Sequence, residues 1–468
     1  MRHCLASFAL LLGAAIPAGA QNLEQPTQLT IHPAAAPSPA LRYHLLPQVE
    51  DLAPGNRAQL YFRSFSPEWD GWRRREGFLD QVDRALQMPL KDLPRKDLDW
   101  ILDSQQFHEV DLAARREYLD WDYTRRLRQD GVRMLLPDVQ SFRITANVLA
   151  LRARLEIADH HYDKALGTLQ TGYALGRDVG DAPLLVSALV GVAISMGMTD
   201  QVEAFIQTPG SPNLYWALTS LPRPMVGLIK PLQGEKMLIY TELPELRQVD
   251  TRLSAQQRQK LQENALHLIA LLKDHPTPKG ENWEGKLELT ALVSKQYAEA
   301  KRALIGHGRK AEDVEGMSAL QVVMIQSLER FEQMRDDLFK WFQLPYWQAL
   351  PELTKMEQRL AAAKQEVGPL LALVPNPLKV YTLATRLDRR IAALRCIEAI
   401  RLYAAAHDGK LPATLNEIRA VPIPLDPMTG RAFQYKLDGK KASLSAPAPP
   451  GLRFTPDNTL TYELILER

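Results

Sequence analysis

The run "LLVSALVGVAISMGM", Leu184 to Met198, limits what this chain can fold into more than any other segment. It carries no charge, yet its 15 residues fall short of the ~20 that a membrane-spanning helix needs. Ser187, Gly191, Ser195 and Gly197 also interrupt it. The pattern predicts a helix buried on most sides, which requires other helices around it. Gly191 and Gly197 are expected to let a neighbouring helix come close, because they carry no Cβ.

The flanking sequence supplies those helices. Helical spacing runs from Ile144 to about Ala158, a short turn holds Asp159 to His161, and "HYDKALGTLQTGYALG" returns. A second pair is expected to begin at Pro183, turn near Gly197 to Thr199, and return as "DQVEAFIQ". Asp163 and Asp200 then occupy equivalent places. Tyr162, Asp163, Ala165 and Leu166 resemble the turn and small-residue positions of a tetratricopeptide-type hairpin. The resemblance covers about one and a half repeats and implies a solenoid-like helical body.

From about Leu232 to residue 378 the chain reads as long helices punctuated by "HPTPKG", Gly306 and Pro345. A change follows near residue 379. Leu383, Leu387, Ile391, Leu394, Ile397, Ile400 and Ala404 recur at helical spacing, and Gly409 with Pro412 ends that helix. Thr414 and Glu417 have the spacing of a capping box. "RAFQYKL" alternates, Asp438-Gly439 supplies a tight turn, "KKASLS" returns, and "TLTYELIL" alternates again. A small antiparallel sheet packed on the helix buries these stripes.

This tail, with Asp426, Pro427, Gly430 and Tyr435, resembles the carboxyl-terminal half of the major pseudopilin of type II secretion systems. The resemblance covers roughly Arg389 to Ser445. It departs at Met428, where that family carries an aromatic, and no prepilin-type stem helix precedes the module. The whole chain also resembles bacterial secreted proteins, of no assigned activity, in which a tetratricopeptide-like helical body precedes such a tail. "SPNLYWALTSLPRP" and "RDDLFKWFQLPYWQA" carry that likeness.

At the amino end "MRHC" gives a basic start, "LASFALLLGAAIPA" an apolar run, and Ala18-Gly19-Ala20 a small-residue site before Gln21. This predicts a signal peptide over 1–20, cleaved between Ala20 and Gln21, and a periplasmic or secreted protein with no transmembrane helix afterwards. Cys4 leaves with the signal, so Cys396 is left as a single cysteine within an apolar helical pattern, expected to be buried and inert. Stability must then come from packing rather than disulfides.

The full expectation is a mainly α protein with a small C-terminal α+β module. Residues 21–58 read as a Pro-rich extended tether, within which "LRYHLL" either pairs as an edge strand or lies along the body. Residues 59–231 form the helical body, in which Trp69, Trp72 and Phe78 dock on a core; 232–378 are the long-helix region; and 379–468 are the pseudopilin-like module.

Composition and motifs narrow the function classes. Hydrophobic residues make up 46% of the chain and charged residues 24%, with 57 basic against 55 acidic, so no electrostatic footprint for nucleic acid emerges. His108-Glu109 opens like a zinc-protease motif, but position 112 is leucine where the second histidine belongs. His160 and His161 are adjacent, diverge by about 100° on a helix and read as a solvated turn. Asp426 before proline caps its own turn, with calcium as the competing ligand. No catalytic, cofactor or metal residues are assigned.

The residues expected to contact a partner are Tyr215, Trp216 and Arg223 in one proline-bounded cluster, and Trp341, Tyr346 and Trp347 in another, with core packing as the competing role. The leading expectation is an exported, non-catalytic scaffold or binding protein of the cell envelope, its partner a protein or an envelope polymer. The alternatives are an envelope hydrolase acting on glycan or peptide, and an accessory component of a secretion assembly.

Overall fold

The computed structural model describes residues 26–468 apart from 67, 68, 70, 72, 73, 103, 131–136, 243, 249, 250, 252, 273–282, 367–376, 456, 457 and 468. The signal segment, its Ala20–Gln21 junction and Trp72 lie outside the described residues. The protein is mainly α with a small C-terminal sheet. It divides into two compact units, a smaller one holding 122–135 and 232–379, and a larger one holding the segment up to 121 together with 136–231 and 380–468.

In the larger unit the elements that matter are strand β1 (Thr27–Ile31) and helix α1 (Arg57–Arg63), then α2 (Pro137–Ala158), α3 (Tyr162–Gly180), α4 (Leu185–Ile206) and the short α5 (Tyr215–Thr219). Helix α6 (Pro377–Ala406) and strands β2 (Gln434–Asp438), β3 (Lys441–Ala446) and β4 (Leu460–Leu466) complete it. Helices α2, α3 and α4 pack on one another. The apolar run lies in α4, where Leu185, Ala188, Val190, Val192 and Ile194 are buried. Helix α4 is long and apolar enough to cross a membrane, yet most of its apolar window is covered by protein.

The turn expected at Gly197 to Thr199 does not form; α4 runs unbroken from Leu185 to Ile206. An isolated glycine costs a helix only about 1 kcal/mol, and burial on either side of it outweighs that. Met198 fits into the notch at Gly172 of α3, where a Cβ would lie 2.1 Å from its sulfur. Gly172, Gly176 and Gly180 recur every four residues, so α3 presents one glycine-lined face to α4. Gly191 sits where a Cβ would approach the Gly176 carbonyl at 2.5 Å, whereas the space beside Gly197 is open, so only the first of the two permits a close helix approach.

The sheet has strand order β1-β4-β3-β2, with β1 parallel to β4 and the other pairs antiparallel. Residues 27–31 are therefore not an extended tether but a sheet strand, with Leu29 opposite Leu464 and Ile31 opposite Leu466. The reason is burial: Leu29, Ile31, Ala442, Leu444, Tyr462 and Leu464 line one covered face. Each such aliphatic side chain removed from water contributes about 1.5–3 kcal/mol. "LRYHLL" forms no strand; it lies along the body with Leu45 and Leu46 buried, and the His44 carbonyl accepts from Gln170 of α3. Trp69 and Phe78 meet edge-on in the core.

In α6 the predicted stripe is covered at Leu387, Ile391, Leu394, Ile397, Ile400 and Ala404. The helix closes where the Gly409 amide reaches the Ala404 carbonyl at a positive φ of 69°. Thr414 starts a single 3-10 turn without capping it through its side chain, and Glu417 reaches back to the Ala413 amide instead.

In the smaller unit, helices Trp283–Gly306 and Ala319–Phe339 pack on each other around Leu289, Ala300, Leu304, Val322, Val323 and Ile325. Ser318 caps the second by accepting from the Gln321 amide.

Candidate functional site

Helix α5 begins because Asn213 turns its side chain in two directions. Its Oδ1 accepts from the Tyr215 amide at 3.0 Å, and its Nδ2 donates to the Glu398 carbonyl of α6 at 2.9 Å. Tyr215 is thereby drawn inward, with its ring beneath the Arg395 guanidinium at 5.5 Å and its hydroxyl donating to the Pro422 carbonyl. It is fully buried, so it is a core residue and not the partner contact expected of it. Trp216 is half-buried and meets Tyr215 edge-on; Arg223 is exposed and donates to the Thr219 carbonyl.

Beside Arg223, Asp388 of α6 accepts from the Met225 amide at 2.9 Å. Burial pushes its carboxyl up to about 7, with the Met225 N–H and the Arg223 charge pulling the other way. The Arg223 guanidinium is itself lowered, by burial first and then by the like charge of Arg395.

The buried charges of α6 hold the tail in place. Arg389 and Asp426 are both buried and meet side-on, with Nε at 2.8 Å and Nη2 at 2.7 Å from the two carboxylate oxygens. Asp426 also accepts from the Met428 amide and the Thr429 hydroxyl. The turn-capping role holds, and a guanidinium fills the position considered for calcium.

Arg401 is fully buried as well. It donates to the His32 carbonyl, to Ser211 and to Glu398, and so ties the segment after β1 and the segment before α5 to one helix. Burial raises the Glu398 carboxyl, against the opposing charge of Arg401. Burial also pushes the Cys396 thiol up, which leaves it protonated and inert.

The histidines behave as a turn. His160 takes a left-handed conformation with φ 58°, and its Nδ1 meets the Tyr162 hydroxyl, which donates to the Pro209 carbonyl. No cluster of three or more His, Cys, Asp or Glu side chains able to hold a metal occurs among the described residues.

Sequence reasoning passed over a second constellation in the larger unit. A cavity of about 180 Å³ is lined by Arg57, Leu119, Arg177, Asp178, Asp181 and Gly227. Buried Asp178 near the end of α3 receives Arg57 Nη1 at 3.0 Å on Oδ1 and the Tyr61 hydroxyl at 3.0 Å on Oδ2. Burial raises the Asp178 carboxyl against the pull of Arg177 and Arg57, and it raises the Tyr61 hydroxyl with Asp178 adding to the effect. The signal for this site was the charged pair in "LGRDVG", in the last half of a helix whose residues from Thr171 onward are otherwise uncharged.

In the smaller unit Tyr346 is buried, so it too belongs to the core rather than to a contact surface. Trp341 is half-buried with Lys340 Nζ 5.7 Å from its ring centre. Trp347 is 44% exposed and Leu344 39%, at the start of helix Tyr346–Glu366. Neither a family model, nor a curated protein, nor a solved structure matches the chain.

Proposed function

We propose that the chain acts as an exported, non-catalytic helical scaffold or binding protein of the cell envelope, with a protein partner. The observation that supports it is the exposure of Leu344 and Trp347, two large apolar side chains three residues apart in the chain that are open to solvent, in the same segment as half-buried Trp341. Tryptophan anchored by a rigid helix start is the residue type that most often carries binding energy at a protein contact. The pseudopilin-like tail serves this role as a docking module turned inward. Its sheet takes β1 as a fourth strand and α6 carries the arginines that fix it, which favours a scaffold over a filament subunit.

The test is crosslinking in intact cells followed by fractionation, comparing the wild-type chain with a Leu344→Ser/Trp347→Ala double variant whose fold is checked by circular dichroism. The proposal expects the protein outside the cytoplasm and a defined crosslinked protein that disappears in the double variant. A partner retained in full by that variant, or a cytoplasmic protein, overturns it.

A further inference from the structure

We propose that the cavity walled by Arg57, Arg177, Asp178 and Gly227 is a binding site for a small monocarboxylate. The argument begins with donors that are not spent. A guanidinium has five N–H groups in a planar fork. Arg57 uses Nε on the Arg116 carbonyl at 2.6 Å and Nη1 on Asp178, which leaves Nη2 without a partner among the described residues. Among the described residues Arg177 reaches only Asp178 Oδ1, its sequence neighbour, with Nε and Nη2 both at 3.4 Å. That is the outer limit of a hydrogen bond, and the same oxygen already takes Arg57 at closer range. Arg177 is thus loosely held, partly exposed, and free to turn its fork into the cavity.

Charge selects the ligand class. Asp181 also lines the cavity, but Lys230 neutralises it at 2.5 Å. Arg57 and Arg177 then face the single carboxylate of Asp178, so one positive charge is left over. The negative end of α3 is blunted, because three of its last four carbonyls already have donors: Arg177 O accepts from the Asp181 amide, Asp178 O from Trp121 Nε1, and Val179 O from the Ala182 amide. A planar monoanion that takes two parallel N–H bonds matches this site. A phosphate dianion would bring a second negative charge beside Asp178. The volume suits a small ligand, since a cavity of about 150 Å³ takes a molecule of the size of benzene. Gly227 supplies an open wall, since a Cβ there meets nothing within 4 Å.

The site is independent of the contact patch in the smaller unit, so the two proposals fail separately. Acetate is titrated into the full chain at constant pH and ionic strength, read by saturation-transfer NMR of the acetate methyl group and by thermal shift. The expected result is saturable binding in the millimolar range, at least about tenfold tighter than inorganic phosphate. Arg177→Gln removes the fork and Gly227→Leu fills the cavity without touching a charge. Each is expected to weaken acetate at least about tenfold, while the remote Lys410→Gln leaves it unchanged. Non-saturable acetate, phosphate binding as tightly as acetate, or wild-type affinity in both Arg177→Gln and Gly227→Leu overturns the proposal.

Discussion

Replacing Arg389 with methionine isolates what the buried ion pair contributes to holding the tail. In the wild-type chain its side chain is 2% exposed and that of Asp426 1%, so water cannot replace the lost partner. The substitution keeps most of the aliphatic stem and removes four bonds: two to the Asp426 carboxylate, one to the Asn458 carbonyl at 2.7 Å and one to the Pro447 carbonyl at 2.8 Å. Asp426 then retains the Met428 amide and the Thr429 hydroxyl, which do not offset a buried negative charge. Removing one member of such a pair costs about 3–5 kcal/mol, and the two orphaned carbonyls work in the same direction.

Asp426→Leu in the same background relieves the unpaired charge, so the double variant should lose much less than the sum of the two single losses. Because the chain has two compact units, the readout should be local. Amide hydrogen exchange of β3 and β4, with protection factors converted to opening free energies, follows the sheet that the pair supports. A loss below about 1 kcal/mol in Arg389→Met, or a double variant that loses the full sum, would refute the view that this pair fixes the tail.

Gly191→Ala tests the close approach of α3 and α4: its Cβ would fall 2.5 Å from the Gly176 carbonyl and 2.6 Å from the Gly180 Cα, both backbone atoms that cannot rotate away. A destabilisation of about 1–3 kcal/mol is expected in urea unfolding, and an unchanged midpoint would show that the helices are not locked there. Asp388 tests electrostatics. Its folded carboxyl titrates near 7 against an ordinary value of ~4, so the folded chain binds this proton more tightly than the unfolded chain. The resulting stability is complete below about pH 4 and is lost as pH rises to about 7, by as much as roughly 4 kcal/mol. Asp388→Asn keeps an acceptor for the Met225 amide and should flatten that decline; equal slopes in both chains would sink the assignment.

What the sequence disclosed and what it hid divide according to how far apart the interacting residues lie. The α6 stripe and the Asp438-Gly439 hairpin are periodic signals within one element, and both appear as expected, with Gly439 at φ 61°. β1 carries no such signal. Its five residues form a strand because a parallel partner, β4, arrives more than four hundred residues later and offers Leu464 opposite Leu29. Proline on either side of that short stretch made it read as a tether. Two of the six contact candidates, Tyr215 and Tyr346, are buried for the same reason. Tyr215 and Tyr346 lie in proline-bounded aromatic clusters just as Trp347 does, and composition cannot tell them apart.

What separates them is the partner each finds. Tyr215 is pulled inward by the Pro422 carbonyl and by Arg395, each remote in sequence, whereas Trp347 is left in solvent. The arginine cavity follows the same logic from the other side. "GRDVG" shows two charges in the otherwise uncharged last half of α3, a local oddity that sequence can register. Only the fold brings Arg57 from α1 to the same carboxylate, and with it the surplus positive charge that makes the pair a binding site rather than a bridge.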